Sequence, residues 1–118
     1  MANKQSIEYK GSIPSLNSYA GGKNFYAKAK VIKDLKSALR LLCIQAGFHK
    51  VNKFCIDVEF NSRHDVDNVI TVEKIFVDSL KGRYIEDDNK KYFRGLCIRP
   101  NENLPMNTFI LSIIENDN

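Results

Sequence analysis

The stretch that most constrains this 118-residue chain runs from Asp65 to Asp88. Between Asp67 and Lys81 apolar residues recur with the period of a helix, and Gly82 is placed to stop it. With Asp67 at zero, Val69, Val72, Phe76 and Leu80 fall at roughly 200°, 140°, 180° and 220° around the axis. Thr71, Lys74 and Asp78 return to within roughly 40° of Asp67. One side is core and the opposite side is a candidate for function. Ile70, Ile75 and Val77 widen the apolar surface beyond a single stripe. A helix apolar on three sides has to be covered on three sides, and in so small a domain the sequence predicts a second subunit as part of that cover.

Acids gather at both ends of this helix. Asp65-Val66-Asp67-Asn68 stands at its mouth and Glu86-Asp87-Asp88 follows its end. Carboxylates collected in this way are the usual material of a Mg²⁺ site, because a hard cation takes oxygen ligands. The rest of the chain is basic: 18 Lys and Arg against 14 acids give a net charge of +4. An acidic focus in a basic body suits a metal-dependent enzyme acting on a polyanion. Other readings of the same acids exist. Asp65 or Asp67 can serve as a helix cap, with Asp87-Asp88 a plain turn. A cap needs one carboxylate, however, and this helix start supplies two and an amide. An EF-hand loop is excluded, since the glycine and glutamate at its required positions are missing. Phosphatases with an aspartyl nucleophile also carry Asp-x-Asp, but their doubly wound parallel sheet needs a longer chain.

The remaining elements follow from periodicity. Ile7 to Tyr9 starts a strand. Asn24 to Ala46 reads as a first long helix, with Ile32, Leu35, Leu39 and Leu42 on one stripe, Asn24 as cap and Gly47 as stop. Lys28, Lys33, Lys36 and Arg40 lie off that stripe, as a solvated face or a DNA-backbone contact. Phe54 to Phe60 alternates apolar and polar, as an antiparallel strand with Asp57 and Glu59 on its wetter side does. Tyr92 to Arg99 and Thr108 to Ile114 read as two more strands. The expected fold is α+β: one domain over residues 1–118, a small mixed sheet packed with two long helices. Ala20-Gly21-Gly22-Lys23 is a loop whose amides and lysine suit a phosphate, or a plain linker. It is not a P-loop. Cys43, Cys55 and Cys97 each sit in an apolar segment and are expected to be reduced core residues. No apolar run is long enough to span a membrane, and no secretory signal precedes the polar start. A cytoplasmic protein without an organic cofactor is expected.

Taken in order, these residues resemble the RusA-like family of Holliday-junction resolvases. That family's signature is Asp-x-Asp-Asn opening a helix, a lysine and then Asp-x-Leu on it, and an Asp-Asp pair after the next turn. Here it reads Asp65-Val66-Asp67-Asn68, Lys74, Asp78-Ser79-Leu80 and Asp87-Asp88. A family-type segment Pro14-Ser15-Leu16-Asn17-Ser18-Tyr19 precedes the first long helix. In the family's founding member the lysine follows the second aspartate by four positions, one helical turn, while some relatives have a longer spacing. Here Lys74 follows Asp67 by seven positions and Thr71 holds the four-step place, which sets Lys74 roughly 10 Å along the axis from Asp67. Asp78 lies roughly 16 Å along it, too far to share an ion with Asp67, and is expected to pair with Lys74 or to meet a partner.

The resemblance implies a homodimeric endodeoxyribonuclease that resolves four-way DNA junctions by paired nicks. Asp65, Asp67 and Asp88 would be catalytic ligands of Mg²⁺, for which Mn²⁺ is a possible substitute. Asp87 would be a further ligand or stand behind them, and Lys74 would offset charge on the reacting phosphate. Lys23, Lys28, Arg63, His64, Lys90 and Lys91 are the expected DNA contacts, with His64 alternatively a general base or a plain turn residue. The rival reading is a DNA-junction-binding module without catalysis, or a prophage relic.

Overall fold

The computed structural model describes residues 3–13 and 25–116, with side chains from residue 29 in the second span. The family-type segment 14–19, the Asn24 cap, Lys23 and the side chain of Lys28 therefore lie outside the described residues. Six elements follow one another: β1 (Lys4–Lys10), α1 (Phe25–Gln45), β2 (Phe54–Asn61), α2 (Val66–Leu80), β3 (Phe93–Pro100) and β4 (Thr108–Glu115). This is the α+β order expected. The strands form one mixed sheet in the order β1-β4-β2-β3. The β1/β4 and β2/β4 pairs are antiparallel and the β2/β3 pair is parallel. Joining parallel neighbours requires a crossover, and α2 supplies it.

Alternation decides which face of the sheet carries the core. Phe54, Ile56, Val58 and Phe60 of β2 lie in register with Glu115, Ile113, Leu111 and Phe109 of β4. Except for Glu115, all of these are buried. Leu35, Leu39 and Cys43 of α1, and Val69, Val72, Phe76 and Leu80 of α2, pack into the same apolar cluster. Both helices therefore cover that face. The helices are tied together at one end, where Arg40 Nε donates to the Ser79 carbonyl at 3.4 Å. Arg40 thus serves the α1–α2 packing.

Gly47 ends α1 as predicted. Its φ of +72° lets the Gly47 amide donate to the Ile44 carbonyl and the Phe48 amide to the Cys43 carbonyl, each at 3.1 Å. This is the paired bond pattern of a Schellman cap.

Three expectations are corrected. Asp57 is 5% exposed, although it stands on the side of β2 away from the helices. Arg99 Nη2 at 3.3 Å and Lys4 Nζ at 3.8 Å fold over its carboxylate, so that side of β2 is roofed by salt bridges and faces away from any site beside α2. Of the cysteines only Cys43 is buried; Cys55 is partly exposed and Cys97 exposed, because Cys97 sits on the edge strand. Finally, Ile75 and Val77 are 1% and 2% exposed within one chain. They need no second subunit to cover them.

Candidate metal and phosphate cleft

The backbone of Asp65 is the N-cap of α2, with its carbonyl accepting from the amides of Asn68 at 2.9 Å and Val69 at 3.2 Å. Its carboxylate makes no capping hydrogen bond. A cap role therefore does not account for the side chain. It lines a hollow of about 180 Å³ with Asn61, His64 and Glu102. Asp67 is exposed in the first turn.

A second, larger cleft of about 420 Å³ runs along α2. Ile70, Glu73, Lys74, Val77 and Asp78 form its helix wall, and Asp88, Phe93 and Leu96 its opposite wall. The residues from α2 occupy a sector from roughly 240° through 340° to 20° on the helical wheel. This is the sector next to Asp67, away from the stripe of Val69, Val72, Phe76 and Leu80. Its occupants differ in part from those expected. Lys74 and Asp88, two of the predicted catalytic residues, share the cleft. Asp65 and Asp67 stand toward the far end of the helix, and Asp67 is separated from Asp78 by roughly 16 Å of axial rise. Among the described residues no three His, Cys, Asp or Glu side chains are grouped so as to hold a metal ion by themselves. Asp65, Asp67 and Asp88 thus do not surround a common point.

The acidic group after α2 divides its work. Glu86 turns away to Lys50, 2.8 Å distant, and that contact holds its carboxyl below the usual range. Asp87 is a turn residue: one oxygen accepts from the Asp88 amide at 2.8 Å and the other from the Asn89 side chain at 3.1 Å. These bonds lower its pKa and occupy both of its oxygens. Asp88 meets Lys81, whose Nζ lies 3.0 Å from it and 3.6 Å from Asp78. The bond to Asp88 raises the Lys81 pKa. The expected Lys74–Asp78 pair does not form. Asp78 takes Lys81 instead, and Lys74 is left exposed with no ion pair among the described residues.

Glu73 was absent from the expected site and is its most unusual member. It is 4% exposed, and its carboxyl is pushed up to about 7, first by burial and then by Asp78 and Asp88, with Lys74 opposing. The sequence carried one signal. Six residues after Asp67, Glu73 falls at roughly 240°, the edge of the apolar arc, where an acid is out of place.

Of the expected DNA contacts, Arg63 and Lys90 are exposed. Lys91 is exposed with its Nζ 5.3 Å from the centre of the Tyr92 ring. His64 is half-buried, and its amide donates to Ser62 Oγ at 3.1 Å.

The donors along the cleft are carboxylate oxygens, which suit a hard cation. Mg²⁺ is commonly held by one or two carboxylates together with waters and substrate phosphates. Asp88 with Glu73 or Asp78 fits that requirement, whereas the three-aspartate cage does not occur. No protein-family model and no curated protein matches this sequence.

Proposed function

We propose that this chain is a Mg²⁺-dependent endodeoxyribonuclease of the RusA-like kind, a homodimer that cuts branched DNA by paired nicks. The observation that carries the reading is one cleft that gathers Lys74 with the carboxyl groups of Glu73, Asp78 and Asp88 on a chain of net charge +4. A general DNA-binding surface has little use for carboxyl groups gathered in a cleft, because they repel phosphate. A phosphodiester hydrolase has a use for them as cation ligands.

Mg²⁺, when bound, polarises the scissile phosphate and acidifies a water for attack. Asp88 would hold it in the cleft, and Mn²⁺ has the same preference for oxygen donors. Lys74 brings its ammonium to the phosphate and offsets the charge that develops there. Its ammonium is free to do so because Asp78 is engaged by Lys81. Arg63, Lys90 and Lys91 flank the acids and hold the DNA backbone by charge, and His64 contacts it beside them. Asp65 and Asp67, at the mouth of α2, would orient the strand that reaches the cleft. No helix among the described residues is long and apolar enough to cross a membrane, and the three cysteines are free thiols. A cytoplasmic setting agrees with both.

One observation favours a second reading. Asp65 and Asp67 lie apart from Asp88, as a junction-binding protein without catalysis would tolerate. Four-way junction DNA, purified protein and Mg²⁺ separate the two. Symmetric paired nicks are expected from the wild type. Asp88→Asn and Lys74→Ala should each lower the cleavage rate by on the order of a hundredfold while retaining junction binding. Tight binding of the junction with no nicks under Mg²⁺ or Mn²⁺ would establish the second reading.

A further inference from the structure

The nuclease reading takes Asp88 and Lys74 from the signature but leaves unexplained why Glu73 lies buried on the wall of the cleft. A carboxyl group this deeply buried is normally matched by a cation or by several donors. Glu73 has neither: among the described residues it makes no ion pair and no hydrogen bond. Its nearest charged neighbours across and along the cleft are two carboxylates, Asp78 and Asp88, and the ammonium of Lys74. Lys81 already engages Asp78 and Asp88, so Glu73 is the carboxyl group of the cleft wall that no ion pair among the described residues satisfies, and it faces the open cleft.

We propose that the cleft between α2 and β3 is a divalent-cation site in which Glu73 and Asp88, one from each wall, supply the protein's carboxylate ligands. The site rests on the nuclease reading for its purpose, but not for its geometry. Two carboxylates, with waters and a substrate phosphate completing the shell, are the usual complement for Mg²⁺. The absence of a three-acid cage among the described residues is therefore expected of it. Lys81 marks the same place as one where positive charge is held: its ammonium lies between Asp78 and Asp88 and must release Asp88 when an ion enters. The site differs from a cage at the helix mouth. Glu73 lies six residues beyond Asp67, about 9 Å along the axis.

The test is Mn²⁺ titration of the whole chain without DNA, followed by paramagnetic broadening of methyl NMR signals. Signals of Val77 and Leu96, which line the cleft, should broaden at lower Mn²⁺ than that of Val66, which lines the hollow with Asp65. By calorimetry Glu73→Gln should weaken Mn²⁺ binding on the order of tenfold or more, and Asp67→Asn should leave it unchanged. Should Glu73→Gln fail to fold, the broadening pattern of the wild type decides alone. Broadening of Val66 first, no broadening at all, or wild-type affinity in folded Glu73→Gln would overturn the proposal. Junction cleavage is scored separately. Nicks together with Val66 broadening would remove this site and keep the nuclease; cleft broadening without nicks would do the reverse.

Discussion

At the scale of single residues, two buried polar groups govern how this molecule responds to its surroundings. The Glu73 carboxyl is raised from its ordinary 4.5 to about 7, so the folded state prefers it protonated. Its contribution to stability is then fully present below pH 4.5 and is lost as pH rises through 7. An elevation of this size corresponds to roughly 3 kcal/mol at most. Urea melts in EDTA should show the wild type losing up to that amount, relative to Glu73→Gln, between pH 4.5 and 8. Parallel pH profiles for the two proteins would show that Glu73 titrates normally. The other group is Thr108, fully buried in β4 with its Oγ1 lacking a partner. Thr108→Val removes the orphan hydroxyl at nearly constant volume and should stabilise the fold by about 1 kcal/mol. A urea midpoint unchanged or lowered would mean that the hydroxyl is satisfied in solution.

At the scale of elements, α1 ends where local chemistry dictates. At Gly47 a Cβ would meet nothing within 4 Å, so Gly47→Ala tests backbone strain alone. At a φ of +72° it should cost about 1 kcal/mol, read as a drop in melting temperature. The same local chemistry explains what the sequence made legible. All six elements were readable because each carries its own period, and the Asp65 cap position and the two glycine stops are decided within a few residues. What escaped was non-local. The burial of Asp57 depends on Arg99 and Lys4 arriving from β3 and β1, and neither pairing is written in β2 itself. The exposure of Cys97 depends on β3 being the edge strand. In α2, period correctly picked out the core stripe of Val69, Val72, Phe76 and Leu80, but a residue on the border of that stripe is assigned by its neighbours. Glu73 is that residue, and Asp88 arriving across the cleft is what makes it part of a site. The convergence of Asp65, Asp67 and Asp88 was inferred from the order of a signature, whereas α2 carries three more residues between Asp67 and Lys74 than the signature has. Nearly one extra turn therefore separates Asp67 from Lys74 along the axis.

At the scale of the whole molecule, the question is whether one chain suffices. The argument for a dimer from uncovered residues of α2 loses two of its three members, because Ile75 and Val77 are buried in the chain's own core and only Ile70 is partly exposed. The argument from chemistry remains: two opposed nicks in a four-way junction need two sites in a symmetric relation, and a two-fold homodimer is the usual way to supply them. The two arguments predict different mutants. A carboxylate at position 77 would replace a side chain that is 2% exposed on a cleft wall that already carries Glu73, Asp78 and Asp88. Val77→Asp should therefore cost several kcal/mol of folding stability and be recovered as unfolded or aggregated protein, not as a folded monomer. The wild type, by light scattering at micromolar concentration, should have about twice the 13.5 kDa of one chain and should nick both strands of a junction at equal rates. A folded, monomeric Val77→Asp protein would show that this side chain lies at a subunit interface after all. A monomeric wild type that still makes paired nicks would show that one cleft, visiting each strand in turn, is enough.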